Sequence, residues 1–381
     1  MNSLAGEFLL DPEIIYLNHG SFGATPRPVF EAYQELQREL EHQPVAFLGR
    51  QFQARMASAR ASLAKYLGTA PSNVVYVTNA TTGLNIIARS LTLGPGDEVI
   101  TSDHEYGAID RTWQFLASQL GFKYLRNPIP VPIHSSDELQ GVISRGLTKN
   151  TRVLSLSHIT SPTSIIFPIK HICAEAKRRG ILTVIDGAHA PGQIPLNLDE
   201  IGVDFYVGNL HKWLCAPKGS GFLYAHPDRQ ARLSPLVVSW GWKSEKPGSS
   251  TFIDHHEWQG TRDPTAFLAV PKAIEFQKIH RWEEVRKVCH DLACDVEARL
   301  SELTGLLPIA SSELFGQMVS AFLPDVDPEP FHNRLLDEFQ IEVPVFRWND
   351  RTIIRVSVQG YNSPSHIDHL INAMQTLLSP K

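Results

Sequence analysis

Between residues 60 and 225 the chain alternates short apolar, β-branched runs with segments of helical periodicity, and this alternation limits the possible folds most. Continuous apolar strands separated by helices are typical of a mostly parallel sheet covered on both faces. In such sheets ligands bind beyond the carboxyl ends of the strands, so the residues that follow each run deserve most weight. The predicted strands are Val74–Val77, Glu98–Thr101, Val153–Ser157, Ile181–Ile185, Phe205–Val207 and Gly221–Tyr224, and the predicted helices are Phe52–Leu67, Thr81–Leu91 and Gly107–Leu120.

The pattern changes after Ser234. Residues 234–260, rich in Trp, Gly, Pro and Ser, predict an irregular loop, and Asp263-Pro264 predicts a helix start. Because 381 residues exceed the size at which one core stops growing, we predict a large α/β domain at 26–260, a small α+β domain at 261–381, and an N-terminal segment at 1–25 near the substrate site. The small domain is predicted to contain helices 265–281, 283–304, 328–339 and one after 363, and strands 317–323, 341–347 and 352–358.

The composition argues against several classes of protein. The formal net charge is −5 and no basic stripe interleaved with aromatic residues is present, so nucleic acid is not a predicted partner. No apolar stretch reaches the ~20 residues of a membrane span, and the N-terminus lacks the features of a signal peptide. The four scattered cysteines predict buried thiols in a cytoplasmic protein. Residues 254–257 (DHHE) resemble a metal cluster in composition alone, and no metal is predicted because no further ligand follows at a suitable spacing.

Asp186 and Lys212 are the most informative pair. Each follows a predicted buried strand, and a buried carboxylate is costly unless its charge is paired. Two adjacent parallel strands would place both side chains at the same edge of the sheet. Pyridoxal 5′-phosphate (PLP) needs a lysine amine to bond its aldehyde and an acid to keep its pyridine nitrogen protonated. A structural Asp–Lys pair is the alternative, and these two residues alone do not exclude it.

Two other segments bear on this choice. Residues 79–83 form a small, hydroxyl-rich turn that opens a helix, where free N–H groups and the helix dipole could bind a phosphate; plain capping by Asn79 or Thr81 is the alternative. The turn is neither a GxGxxG nor a GxxxxGKS loop, so neither a dinucleotide nor a P-loop site is supported. Arg355, inside an apolar strand, could pair with a substrate carboxylate or with a structural Asp or Glu.

A resemblance to a known family extends over nearly the whole chain. The chain resembles the class V branch of fold-type-I PLP enzymes, within it most closely the isopenicillin N epimerase-like group, which also contains C–S lyases of sulfur amino acid metabolism. This implies a mostly parallel sheet of the seven-stranded type and a small C-terminal domain. The segments that carry the resemblance are LNHGSFG (17–23), TNATTGLN, DHEYGA, SHITSPT, DGAHAPG, GNLHKW, QGTRD and IIRVSVQGYN.

The resemblance implies roles for individual residues. Lys212 would carry the cofactor and Asp186 would hold its ring nitrogen. Arg355 would bind the α-carboxylate of an amino-acid substrate, with Asn18 and His19 nearby. The other implied cofactor contacts are His189 and His158 near the ring oxygen, Ala80, Thr81, Asn209 and His211 at the phosphate, Tyr106 (or else His104) stacked on the ring, and Gly260 and Thr261 reaching the phosphate of a partner subunit in a homodimer.

One departure from the branch pattern bears on the reaction. Cysteine desulfurases of this branch carry a nucleophilic cysteine shortly before the carboxylate arginine, whereas residues 343–350 here contain none. A persulfide on an enzyme cysteine is therefore not expected. The resemblance itself implies epimerisation at Cα first, β-elimination of a C–S bond second and transamination third. An epimerase needs a second proton donor, for which Tyr106, His19 and His104 are candidates. An idle relative or a Rossmann dehydrogenase is the remaining alternative, although the set of Lys212, Asp186 and Arg355 argues against the first and the lack of a Gly-rich fingerprint against the second.

Overall fold

A computed structural model describes residues 4–379. Its strands form three sheets. The largest has seven strands in the order β2-β8-β7-β6-β5-β3-β4. The strands are β1 (Ile15–Tyr16), β2 (Val74–Val77), β3 (Glu98–Ser102), β4 (Lys123–Asn127), β5 (Thr151–Ser157), β6 (Leu182–Asp186), β7 (Phe205–Asn209), β8 (Gly221–Ala225), β9 (Met318–Phe322), β10 (Ile341–Glu342), β11 (Val345–Trp348) and β12 (Arg351–Ser357).

Fifteen α-helices lie between these strands in the described part of the chain. They are α1 (His19–Phe22), α2 (Arg27–His42), α3 (Phe52–Leu67), α4 (Ala80–Ser90), α5 (Gly107–Leu120), α6 (Ser136–Gly146), α7 (Ile169–Arg178), α8 (Leu198–Ile201), α9 (Pro227–Gln230), α10 (Thr251–Glu257), α11 (Thr265–Leu268), α12 (Val270–Ile279), α13 (Trp282–Thr304), α14 (Pro328–Phe339) and α15 (Pro364–Leu378). Among residues 4–379 no helix combines the length and the apolar character needed to cross a bilayer.

The seven-stranded sheet confirms the predicted mostly parallel architecture. Strand β8 alone runs against its two neighbours, β2 and β7. Strands β2, β3, β7 and β8 are buried along their full length, because helices cover both faces of the sheet. Two hydrophobic clusters, one on each face, hold these helices in place. The polar ends of the strands are therefore left at the edge where a ligand can bind.

The N-terminal segment reaches this edge through contacts with the C-terminal half. Strand β1 pairs in parallel with β10, and Asn18 forms a further bridge to Ser357 at the end of β12. Gly23 has φ +71°, and a Cβ there would lie 1.9 Å from the His211 carbonyl oxygen. The glycine thus lets the segment lie directly against the loop that carries Lys212.

Several elements differ from the sequence prediction. Residues 251–257 are a helix inside the segment predicted as an irregular loop, with Ser250 capping its first turn. The predicted strand 341–347 is split into β10 and β11 around Pro344, which has no N–H for a sheet ladder. Helices α11 and α12 pack on α2 and α3, so contacts cross the predicted domain boundary at 260/261, and that boundary stays a prediction. Residues 1–3 of the predicted N-terminal segment lie outside the described residues.

Candidate active site

A cavity of about 400 Å³ opens where the carboxyl edge of the large sheet meets the N-terminal segment and the three-stranded sheet β11-β12-β9. Helix α1, strands β11 and β12 and the segments that follow strands of the large sheet supply its walls, so the cavity joins distant parts of the chain. The polar side chains that line it include Ser21, Glu105, Tyr106, Ser161, Lys212 and Arg355.

Lys212 and Asp186 meet at this edge because β6 and β7 are parallel neighbours, with Asp186 opposite Val207. Burial raises the pKa of the Asp186 carboxyl, while the N–H of Ala188 at 2.9 Å and the charge of Lys212 oppose that shift. The pKa of the Lys212 amine is lowered to about 7, chiefly because burial disfavours its charged form. The Arg355 cation also lowers this pKa, whereas Asp186 raises it. A substantial fraction of the amine is therefore neutral, and so nucleophilic, near neutral pH.

His189 lies between Lys212 and the core. Its Nε2 atom is 3.1 Å from the Lys212 Nζ atom, and the Trp213 indole donates to its Nδ1 atom at 3.2 Å. Burial lowers the pKa of the imidazole well below its usual range, and the neighbouring cation of Lys212 adds to this. His189 is therefore a neutral hydrogen-bonding partner of the lysine.

The turn before α4 lies beside β7. Its N-cap, Asn79, accepts the Thr82 N–H at 2.8 Å, and the Ala80 N–H donates to the Asn209 side chain at 2.8 Å. The Thr81 N–H, at the positive end of the helix, has no partner among residues 4–379. Since Asn209 already occupies the Ala80 N–H, the free donor for an anion is Thr81. The His211 ring of the predicted phosphate set is bonded instead to the Ser220 carbonyl at 2.9 Å.

Arg355 is a buried cation that contacts hydroxyl and carbonyl groups. Its Nη1 atom donates to the carbonyl and hydroxyl of Ser161 at 2.8 and 3.0 Å, and its Nη2 atom to the Ser21 hydroxyl at 2.9 Å. No ion pair with a carboxylate joins it within the described chain, and its Nε atom is unbonded. Burial lowers the pKa of this guanidinium to about 10. The structural Asp or Glu partner left open by the sequence is thus not found, and a ligand carboxylate would be the missing anion.

The structure places the two predicted N-terminal substrate residues behind the cavity wall. The His19 ring is fully buried and bonds the Lys212 carbonyl and the Tyr361 hydroxyl, both at 3.0 Å. Burial lowers its pKa to about 3, so it is neutral. Asn18 accepts the Ser21 hydroxyl at 2.5 Å. Both residues therefore support the site from outside, and Ser21 is the segment's contact with Arg355.

Two other predicted cofactor contacts also lie away from the cavity. His158 bonds the Tyr206 hydroxyl at 2.8 Å and lines a different cavity, beside helices α7 and α8. Ser161, three residues later, lines the Lys212 cavity instead, because the chain turns back after the strand. His104 is buried against Thr163, with a 2.7 Å bond, whereas half-exposed Tyr106 lines the cavity.

Glu105 is a cavity residue that the sequence analysis did not single out. Its carboxyl accepts hydroxyls from Ser102 at 2.7 Å and Ser157 at 2.6 Å. Its pKa is raised to about 7, chiefly by burial and also by the nearby Asp186, while the hydrogen bonds from the two serines oppose the shift. The available signal was a carboxylate in the loop three residues after a buried strand, and it was weaker than that of Asp186, which ends its own strand.

The loop at Gly260–Thr261 is not part of this cavity. Gly260 has φ +110° with no atom within 4 Å of its Cβ position, and Thr261 is exposed. The neighbouring segment 254–257 lies on α10, where Glu257 pairs with Arg60 at 2.5 Å. Within residues 4–379, no group of three or more His, Cys, Asp or Glu side chains is arranged to hold a metal ion.

Comparisons with known proteins agree with this architecture. The model of the family described as Aminotransferase class-V matches residues 15–370. The chain is 37% identical to an isopenicillin N epimerase from Amycolatopsis lactamdurans, over 97% of this chain and 96% of that protein. It is 28% identical to a putative L-cysteine desulfhydrase from Oryza sativa subsp. japonica, over 95% and 83% of the two chains. A solved C-DES variant with glycine covalently linked to its PLP cofactor superposes with a TM-score of 0.86 at 23% identity, over 97% and 98% of the chains.

Proposed function

This chain belongs to the class-V aminotransferase family, and from that premise we propose that it is a PLP-dependent enzyme that epimerises an amino-acid substrate at Cα. One observation carries the proposal. The carboxyl edge of the large sheet brings together the Lys212 amine, whose pKa is lowered, the buried Asp186 carboxylate and the buried Arg355, which has no acidic partner in the described chain. A ligand that contributes an aldehyde, a basic ring nitrogen and a carboxylate would satisfy all three.

The residues present fit PLP. Lys212 would hold its aldehyde carbon and Asp186 its ring nitrogen, while the Thr81 N–H and the positive end of α4 would receive its phosphate. Gly83 supports this arrangement, because a Cβ there would lie 2.8 Å from Val207, so α4 can seat its first turn close to β7. When bound, PLP supplies an electron sink for the pair left on Cα after its proton is removed.

The chain's own groups would then position the substrate and move its proton. Arg355 binds the α-carboxylate with its planar fork while Ser161 and Ser21 hold the guanidinium in place. The neutral Lys212 amine accepts the Cα proton. Of the three candidate donors for the opposite face, Tyr106 alone lines the cavity, which favours it over His19 and His104.

Replacing the lysine tests the cofactor assignment. The Lys212→Ala variant should lose the visible absorbance of the protein-bound cofactor and its turnover. Lys218→Ala is the control, since it removes an exposed lysine six residues away that does not line the cavity. Retention of absorbance and turnover by Lys212→Ala would disprove the assignment.

A second experiment identifies the reaction. The enzyme is supplied with isopenicillin N or with L-cystine in D₂O, and the Cα deuterium, the configuration, pyruvate and sulfide species are measured. Deuterium together with the inverted enantiomer is the expected result. Pyruvate with sulfide species, and no inverted product from either compound, would replace epimerisation by β-elimination.

β-Elimination is the second candidate because the desulfhydrase relative spans 95% of this chain. A persulfide on an enzyme cysteine is not supported, since none of the four cysteines lines the cavity and burial raises the thiol pKa of Cys173 and Cys289 to about 12. An elimination here would use Lys212 as the proton shuttle.

All four thiols are free, which supports the predicted cytoplasmic location.

The homodimer is also part of the proposal. The loop at Gly260 and Thr261, in which Thr261 is exposed, follows an exposed apolar stretch that a second copy could cover. Sedimentation at several concentrations should give a dimer for the holoenzyme, whereas Trp240→Glu should give monomers that bind PLP weakly. A monomeric wild type with full cofactor affinity would contradict a phosphate site shared between subunits. The apolar stretch comprises Leu236, Val237, Val238, Trp240 and Trp242.

A further inference from the structure

Trp213 is directly bonded to the histidine that contacts Lys212. Its indole nitrogen lies 3.2 Å from the His189 Nδ1 atom, and both side chains are buried. An indole N–H can only donate, so the Nδ1 atom must be the acceptor. A neutral imidazole that accepts at Nδ1 carries its proton on Nε2. The bond therefore selects one of the two tautomers of His189.

The selected tautomer directs an N–H towards the Lys212 Nζ atom, 3.1 Å from the His189 Nε2 atom. A neutral amine has a lone pair that accepts this N–H, whereas an ammonium group has none. We propose that Trp213 is a positioning residue: it fixes the Nε2–H tautomer of His189 and thereby keeps the Lys212 amine in its neutral, proton-accepting form. The inference rests on the proposed role of Lys212 in binding the cofactor.

The opposite tautomer would reverse the preference. Without the indole donor, the proton can move to Nδ1, and the Nε2 lone pair then accepts a hydrogen bond from a lysine ammonium. The other charged groups that act on Lys212 are Asp186, which favours the ammonium, and Arg355, which disfavours it. Trp213→Phe leaves both of these groups in place. The polar contact that it removes from the His189–Lys212 pair is the indole hydrogen bond, which sets the tautomer.

Cofactor capture measures the neutral amine directly. PLP is removed from the full-length protein and added back at a series of pH values, and the rise of visible absorbance gives the capture rate. The midpoint of this pH profile should rise by about one unit in Trp213→Phe, because about tenfold less amine is then neutral below the midpoint. Trp113→Phe is the matched control: it removes another fully buried indole, bonded to Ser155 at 2.9 Å, that has no bond to His189.

The dependence on His189 is tested in a second background. If Trp213 acts through the imidazole, Trp213→Phe should produce no further shift of the midpoint in a His189→Leu protein. The same shift in both backgrounds would overturn the inference, since it would show that the indole acts on the lysine by another route.

The tautomer itself can be read in the wild-type protein. Protein with ¹⁵N-labelled histidine should show the His189 signal, assigned by its loss in His189→Leu, with the proton on Nε2. A proton on Nδ1 would overturn the inference without any variant having to fold. If Lys212→Ala still captures PLP covalently, the proposed function fails; if capture requires Lys212 but Trp213→Phe leaves the midpoint unchanged, this inference alone fails.

Discussion

Glu105→Gln should stabilise the cofactor-free protein above neutral pH. The carboxyl is enclosed by the ends of β3 and β5, and burial raises its pKa to about 7 from an ordinary value of 4.5. Because the folded-state pKa is the higher one, the folded protein binds the proton more tightly than the unfolded chain. The contribution of Glu105 to stability is therefore complete below pH 4.5 and is lost as the pH rises through about 7.

The size of the effect follows from that difference. A shift of this size, at ~1.4 kcal/mol per unit, corresponds to roughly 3 kcal/mol lost between the two pH limits. Glutamine keeps the shape of the neutral acid and carries no charge. One of the two serine hydroxyls can go on donating to its amide oxygen while the other turns to accept from its NH2 group. The variant should hence gain up to roughly 3 kcal/mol over wild type at about pH 8 and nothing at about pH 4.

Urea unfolding of both proteins across this pH range is the assay. Glu35→Gln, on the exposed side of α2, is the control because it removes a charge that is not buried. Bound cofactor with a protonated ring nitrogen near Asp186 should favour the ionised Glu105, so the gain should shrink in the holoenzyme. A loss of stability of equal size at every pH would refute the reasoning, since it would mean that Glu105 is ionised and well paired when folded.

Three further changes test other contacts. Arg355→Lys removes the planar fork and should raise KM at least tenfold, because a hydrogen bond to a charged group is worth ~1.5–3 kcal/mol, while the cofactor absorbance stays. An unchanged KM in steady-state assays would show that Arg355 does not bind the substrate. Arg60→Met leaves the buried Glu257 carboxylate unpaired and should cost about 3–5 kcal/mol in urea unfolding near neutral pH, so a cost under about 1 kcal/mol would contradict a buried pair. Gly23→Ala would force alanine into a left-handed backbone conformation at φ +71° and press its Cβ against the His211 carbonyl, so it should lower both the melting temperature and PLP retention. Wild-type values for both would show that the N-terminal segment can move away from this loop.

Much of the large sheet could be predicted from the sequence because its strands are buried on both faces. Strand Val74–Val77 and helices Phe52–Leu67 and Gly107–Leu120 have the predicted bounds. The edge strand Lys123–Asn127 was missed because only one side of it packs, so its residues form no apolar run. Helix Thr251–Glu257 was missed because seven residues between Gly- and Ser-rich stretches give little periodicity.

The residues of the site likewise fall into some that could be predicted from the sequence and some that could not. Lys212 and Asp186 could be paired from sequence because the ends of adjacent parallel strands must meet at one edge. The loops after strands give no such rule, since tertiary contacts decide which side chain turns inward. Ser161 therefore lines the cavity where His158 was expected, and Glu105 stands beside the predicted Tyr106.

The charges of the site are more informative than its shape. A chain selected for stability alone would not bury Arg355 against hydroxyls, nor hold a lysine whose pKa is lowered to about 7 beside two carboxyls whose pKa values are raised. Burial of these ionisable groups costs free energy, which a ligand of complementary charge would offset. PLP would place its phosphate at the Thr81 turn and its protonated ring nitrogen at Asp186. The amino-acid substrate would place its carboxylate at Arg355. We therefore expect PLP and an amino acid to stabilise this fold when they bind, since a ligand that binds only the folded state shifts the unfolding equilibrium towards it.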